Sequence, residues 1–210
     1  PLAITTPAVP RSASFETMAL HNRALFEVQV WANSSSSSLD GAILDARLVG
    51  PDGVVYAKWR KIVDVVANSV TPLTSLQLPL ANIAGRVFFL DLLLRDRDGL
   101  IIAANRYPFT RGETLAPFFD IPATELEISA VSGPDAWRLT ITNRGENAAL
   151  WVWLEDRRAL GSGGFVRFDD NHFTLLPGET RRIEAHWNNV PVEARELSAR
   201  GWNTPTYTIP

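Results

Sequence analysis

With 210 residues, 46% of them hydrophobic and 20% charged, the chain has the apolar content of a folded protein and the length for two domains, which excludes disorder for most of it. The 20 Lys and Arg face 23 Asp and Glu, so there is no net positive field, and no local basic cluster compensates; nucleic acid is not expected as a partner. The absence of cysteine removes disulfides, thiolate metal sites and cysteine nucleophiles, and leaves the compartment undecided.

The chain opens Pro1-Leu2-Ala3 with neither an initiator Met nor a charged-then-apolar leader, which reads as a segment cut from a longer polypeptide. A Pro- and Thr-rich lead, Ile4 to Pro10, precedes the first clear element. In Leu25 to Trp31, Phe26, Val28 and Val30 share one face and Glu27 and Gln29 the other, the period-two pattern of a half-buried strand. Asn33 to Ser38 follows as a polar loop, and Asn33-Ser34-Ser35 is a formal glycosylation sequon that matters only in a eukaryotic secretory host. Ala42 to Val49 is the next strand. Gly50-Pro51-Asp52-Gly53 turns it into Val54 to Val66, since Pro presets φ and Gly supplies a positive one. A further hairpin is formed by Val87 to Leu94 and Leu100 to Tyr107 around Asp96-Arg97-Asp98-Gly99. The longest apolar runs, Val87 to Leu94 and Ala148 to Leu154, fall far short of the roughly 20 residues of a membrane helix.

Pro117 and Pro122 bracket an aromatic segment and deny it ladder hydrogen bonds, which places a domain boundary near Ile121. Beyond it come Glu125 to Val131, Trp137 to Asn143, Ala149 to Glu155, Phe165 to Phe168, Phe173 to Leu176, Arg181 to Trp187 and Leu197 to Trp202, short runs separated by Gly, Pro, Asn or Asp. Such spacing predicts an immunoglobulin-like sandwich. Neither half shows an amphipathic helix. The expected fold is all-β, two tandem immunoglobulin-like antiparallel β-sandwiches over residues 1–121 and 122–210.

Three segments follow one another at short spacing in the second half: Trp137 to Asn143, Ala149 to Leu154, and Asp169-Asp170-Asn171-His172-Phe173-Thr174-Leu175-Leu176-Pro177-Gly178-Glu179. Together they resemble the C-terminal immunoglobulin-like domain of family 2 glycoside hydrolases of the β-mannosidase and exo-β-glucosaminidase type. Val87 to Leu90, Asp98-Gly99 and Asn105-Arg106-Tyr107 are similar to the sandwich that precedes that domain, so the resemblance covers roughly residues 20 to 210. Within the motif, Asp170, Asn171, Phe173, Pro177, Gly178 and Glu179 carry the match. His172 stands where the family commonly has an aromatic, and Pro108 follows Tyr107 where a Trp is usual. The resemblance implies that the catalytic glutamates lie on a (β/α)₈ barrel of about 250 residues, for which this chain has no room. Retaining hydrolysis of a terminal β-linked sugar then belongs to the parent polypeptide and not to this piece.

No catalytic, cofactor or metal residue is assigned. Asp169 and Asp170 point in opposite directions on an extended chain and do not converge; the cluster lacks the spaced oxygens and central Gly of a calcium loop, so turn-forming hydrogen bonds are its expected role ahead of metal binding. Pro177-Gly178-Glu179 is read as a turn. His21, His172 and His186 stand far apart without partners at metal or triad spacing and are read as ordinary surface or edge residues. Gly161-Ser162-Gly163-Gly164 is followed by a strand instead of a helix, which excludes a phosphate loop or nucleophile elbow and leaves a flexible loop. Of the 7 tryptophans, Trp151 and Trp153 share one face of a strand whose other face carries Leu150, Val152 and Leu154. A strand apolar on both sides must meet a neighbouring domain, an absent barrel or a sugar, in that order of preference. Trp202 is a second outlier of this kind, and Trp59 or Trp153 would serve as the platform of an independent carbohydrate-binding module, the competing reading. The expected partners are the parent's catalytic barrel and an oligosaccharide; no cofactor is expected.

Overall fold

The structure, a computed structural model, describes residues 2–5, 24–35, 37–111 and 114–209, with only the backbone for 2–5. His21 lies outside the described residues. The chain is all-β with antiparallel pairing throughout, and it divides into two units, Pro1–Gly50 with Val54–Asp120 and Pro51–Gly53 with Ile121–Pro210.

The first unit contains β1 (Leu2–Thr5), β2 (Leu25–Ser34), β3 (Leu39–Val49), β4 (Val55–Val65), β5 (Ser69–Pro79), β6 (Val87–Arg95) and β7 (Ile101–Thr110). They form two sheets, ordered β1-β2-β5 and β4-β3-β6-β7. Phe26, Val28 and Val30 are fully buried and share a core with Leu44, Leu48, Phe88, Leu90 and Phe109 from the other sheet, as the period-two pattern demands. Phe26 meets Phe88 and Phe109 edge-on at 5.7 and 5.2 Å, while Phe88 and Phe109 stack at 5.6 Å. The three rings tie the two sheets together. Both expected hairpins are present: β3 pairs with β4 and β6 with β7. Gly53 and Gly99 hold φ of +81° and +85°, and Asp96 accepts hydrogen bonds from the Asp98 and Leu100 N–H groups at 3.0 and 2.8 Å.

Two strands here are absent from the sequence reading, and one loop is shorter. β1 takes part of the segment read as a lead and pairs Leu2 to Thr5 with Ala32 to Gln29. β5 carries Pro72 and Pro79, which argue against a strand; it lies at a sheet edge, and Pro72 sits at a register shift opposite Trp31, the two settings that tolerate a missing N–H. β2 continues through Asn33 and Ser34 because β5 offers partners in Val70 and Ser69. The segment between the prolines near the boundary is a short 3-10 turn, Ala116–Asp120, that buries Phe118 and leaves Phe119 exposed.

The second unit contains β8 (Leu126–Ser132), β9 (Ala136–Asn143), β10 (Ala149–Asp156), β11 (Phe165–Phe168), β12 (Phe173–Leu175), β13 (Thr180–Asn188), β14 (Leu197–Arg200) and β15 (Tyr207–Ile209). Its sheets are ordered β11-β13-β9-β8 and β12-β10-β14-β15. The last expected strand ends at Arg200, so Trp202 lies in a turn, and β15 is an additional edge strand. The Tyr207 hydroxyl accepts a hydrogen bond from the Leu126 N–H at 2.9 Å and so links β15 to β8 of the other sheet. With no disulfide to staple the layers, Trp137 and Trp187 meet edge-on at 5.7 Å in the core, and Arg158 and Arg195 each place a guanidinium 5.6 Å from the Trp187 ring.

Candidate functional site

The acidic motif is engaged in holding its own domain. Asp169 exchanges hydrogen bonds with Glu184 on β13, its carboxylate accepting from the Glu184 N–H at 2.9 Å and its N–H donating to the Glu184 carbonyl at 3.1 Å. Asp170 accepts from the Asn171 N–H at 2.9 Å and lies 3.4 Å from Arg181. Asn171 is the most constrained of the three. Its side-chain oxygen accepts from the Leu154 N–H at 2.8 Å and its amide nitrogen donates to the Leu154 carbonyl at 3.1 Å, so one side chain reproduces a backbone pair and prolongs the β10–β12 ladder past Phe173. His172 follows at φ +60°. No group of three or more His, Asp or Glu able to hold a metal ion occurs among the described residues.

Pro177-Gly178-Glu179 is a turn with Gly178 at φ +76°, and the Glu179 carboxylate accepts from the Leu176 N–H at 2.9 Å. The backbone of this turn bonds to Asn143, a residue that pattern reading overlooked because an Asn closing a strand looks like an ordinary turn former. Asn143 is fully buried. Its N–H donates to the Glu179 carbonyl at 3.0 Å and its carbonyl accepts from Gly178 at 2.9 Å. Its side-chain amide donates to the carbonyls of Asn147 and Leu175 at 2.8 and 2.9 Å, and its side-chain oxygen accepts from the Thr124 hydroxyl and the Gly145 N–H at 2.9 and 3.1 Å. All of its donors and the usual complement of acceptor sites are engaged, as burial of a polar side chain requires.

The tryptophans divide. Trp59 is half-buried on β4 and packs against the core of the first unit. The strand β10 does not alternate evenly: Trp151 holds φ +46° at a register shift, which brings Ala149, Val152 and Leu154 to the core, whereas Leu150 is buried outside that cluster. The expected face of Leu150, Val152 and Leu154 is corrected accordingly. Trp153 has its ring flanked from both neighbouring strands. His172, beside β12, stacks on it at 6.3 Å and 17°, and the Arg200 guanidinium of β14 lies 4.5 Å from its centroid; its indole N–H donates to Glu155 at 2.7 Å. Trp202 is 56% exposed and meets Trp151 edge-on at 6.5 Å. The turn that carries it is held by Asn203, whose side chain accepts from the Leu150 N–H at 2.9 Å and donates to the carbonyls of Pro122 and Ala148 at 2.8 and 2.9 Å. His186 lies 3.4 Å from Glu184 at the surface.

The glycine-rich loop after β10 is tethered. Arg158, with its side chain only 9% exposed, binds both Asp156 carboxylate oxygens and donates to the carbonyls of Gly163 and Gly164. Partial burial of the Asp156 carboxyl raises its pKa, but the hydrogen bonds and charge of Arg158 outweigh that and hold it below the ordinary aspartate range. A folded pKa below the unfolded one gives stability that is present above the unfolded value and is lost as pH falls through the folded value. Amide exchange in residues 157–164 is therefore expected to rise below about pH 4, with the Asp156→Asn variant already showing the faster exchange at pH 7; pH-independent protection of the loop would contradict this.

Residues 121–199 match the mannosidase Ig family model, an Ig-fold domain. The second unit thus contains an immunoglobulin-fold domain of the kind that the mannosidase Ig model describes. The chain is 23% identical over 209 residues to an exo-β-D-glucosaminidase of Amycolatopsis orientalis, covering 85% of this chain and 20% of that protein. In fold it is similar to the exo-chitosanase CsxA of the same organism, with a TM-score of 0.62 at 18% identity over 88% of this chain and 25% of the other. It is likewise similar to a β-D-mannosidase of Dictyoglomus thermophilum, with a TM-score of 0.61 at 17% identity over 85% of this chain and 20% of the other. The chain therefore spans between a fifth and a quarter of the length of these relatives.

Proposed function

We propose that the chain is the non-catalytic C-terminal accessory region of a family 2 glycoside hydrolase resembling β-mannosidase. Its two domains, divided near residue 121, brace a catalytic (β/α)₈ barrel and border its sugar pocket. The parent would hydrolyse a terminal β-linked sugar with retention, using two barrel glutamates. What supports this most is how the acidic motif is used: Asp169, Asn171 and Glu179 are bonded to the backbone of their own domain, an arrangement suited to rigidity and not to substrate. The similarity to glycosidases several times longer points the same way.

A second reading, an independent carbohydrate-binding module, is favoured by the exposure of Trp202 beside Trp151. Trp153 and Trp59 support it less, since the Trp153 ring is covered from two strands and Trp59 packs on a core. Calorimetric titration with manno- and glucosamine oligosaccharides decides between them. The accessory reading expects no saturable heat at millimolar ligand; binding at that level or tighter that disappears in Trp202→Ala would establish the module.

A further inference from the structure

Glycine follows aspartate at three places, Asp40-Gly41, Asp52-Gly53 and Asp98-Gly99, and each of these aspartates is exposed. The three glycines hold left-handed backbone, at φ of +62°, +81° and +85°. What separates them is the use of the glycine N–H. Gly41 on β3 donates to the Asp64 carboxylate on β4 at 2.7 Å, and the Arg97 side chain lies against it. Gly99 donates to the Asp96 carbonyl at 3.1 Å, which closes its turn, while the Asp96 carboxylate holds the N–H groups of Asp98 and Leu100 on either side. The Gly50-Pro51-Asp52-Gly53 turn is open by comparison. The bond beneath it runs from the Gly50 N–H to the Val54 carbonyl at 2.8 Å, and the Gly53 N–H has no hydrogen-bond acceptor among the described residues.

The carboxyl of an aspartate and the amide nitrogen of the next residue can close a five-membered ring, and glycine, which lacks a Cβ, leaves that nitrogen open to approach. A nitrogen whose proton is already donated must first give up that bond. We propose that Asp52 is a site of spontaneous isoaspartate formation, and that the fold favours it over Asp40 and Asp98 because the Gly53 N–H alone is left unbonded. The Gly53 nitrogen bonds to Cγ of Asp52, and its proton leaves with the carboxyl hydroxyl as water, which gives a succinimide. Water then breaks one of the two carbonyl–nitrogen bonds of the ring. Cleavage at Cγ restores aspartate; cleavage at the original peptide carbonyl leaves the main chain running through Cβ and Cγ, with the α-carboxylate as the side group. Water is released and then consumed, nothing is oxidised or reduced, and no enzyme takes part. The turn between β3 and β4 gains one methylene in its main chain and keeps one carboxylate. This chemistry holds whether or not the chain serves a glycosidase.

Ageing the folded 210-residue chain at neutral pH, followed by tryptic digestion, isoaspartyl methyltransferase labelling and electron-transfer fragmentation, tests the assignment. Isoaspartate at Asp52 is expected to accumulate at least about fivefold faster than at Asp40 or Asp98, the factor that release of one exposed hydrogen bond supplies. In urea, where the turns are lost, the three rates should draw together. Asp64→Ala strips Gly41 of its acceptor and should speed the reaction at Asp40 several-fold, whereas Asp64→Asn keeps an oxygen there and should leave it slow. Asp52→Glu, which would need a six-membered ring, should remove the signal from its peptide. Isoaspartate forming no faster at Asp52 than at the other two sites overturns the proposal. So does a lead of Asp52 that persists undiminished in urea, since local sequence and not the fold would then choose the site. An Asp64→Ala chain with the wild-type unfolding midpoint in which Asp40 stays as slow as before overturns it too.

Discussion

Phe88→Ala is expected to destabilise the first domain by about 3–5 kcal/mol, the usual cost of removing a large ring from a packed core. The size follows from where the ring sits. Phe88 is fully buried, stacks on Phe109 of the neighbouring strand and meets Phe26 of the opposite sheet edge-on, so its loss opens a cavity that one sheet cannot fill by sliding. Phe88→Leu, which keeps most of the volume, should cost markedly less. Urea unfolding followed by a probe in the first domain reads this as a fall in midpoint at constant slope. A loss below about 1 kcal/mol for Phe88→Ala would mean that the three rings do not bridge the sheets.

Asn143→Ala is expected to cost the second domain about 3–5 kcal/mol, because it strips partners from several buried groups at once. The Thr124 hydroxyl, the Gly145 N–H and the carbonyls of Asn147 and Leu175 all bond to the Asn143 side chain. Asn143→Asp separates hydrogen bonding from shape. It keeps the acceptor for Thr124 and Gly145 but aims a carboxylate oxygen at two carbonyls, so its pKa in the folded state should be raised. A raised folded pKa means that stability returns as pH falls through it, opposite in sign to the behaviour at Asp156. Thermal unfolding of the two variants between pH 4 and 8 checks the argument; near-neutral behaviour of both would contradict it.

The strands that the chain announces are those whose apolar residues alternate without interruption. Phe26, Val28 and Val30 on β2, and Trp137, Leu139 and Ile141 on β9, each meet a core where period two places them. The two expected hairpins were legible because Gly53 and Gly99 occupy left-handed backbone. The strands that escaped notice depend on their neighbours. β1 and β15 are short edge strands that gain their form from one partner each, β2 and β14, and β5 tolerates Pro72 through its place at the sheet edge and the register shift against β2. Trp151 shows the limit of counting by twos. A positive φ within β10 shifts the core set from Leu150 to Ala149, and no residue type at that position signals it.

The side chains that organise the second domain were partly visible. Asp169, Asn171 and Glu179 could be read as turn formers, since their types commonly bond nearby backbone. What a linear reading missed was the long-range target: Asn171 reaches Leu154 and Asn143 reaches Leu175, across sequence separations that only the sandwich closes. Arg158 escaped for a similar reason, because its neighbours Gly163 and Gly164 suggest freedom until a guanidinium is found bonded to their carbonyls.

These residues are expected to carry no independent chemistry, and a hydrolysis assay of the purified 210-residue chain on chromogenic β-mannoside and β-glucosaminide tests this most directly. The predicted rate equals that of buffer across pH 4 to 8. Turnover that is abolished by replacing Asp169, Asp170 or Glu179 would contradict it.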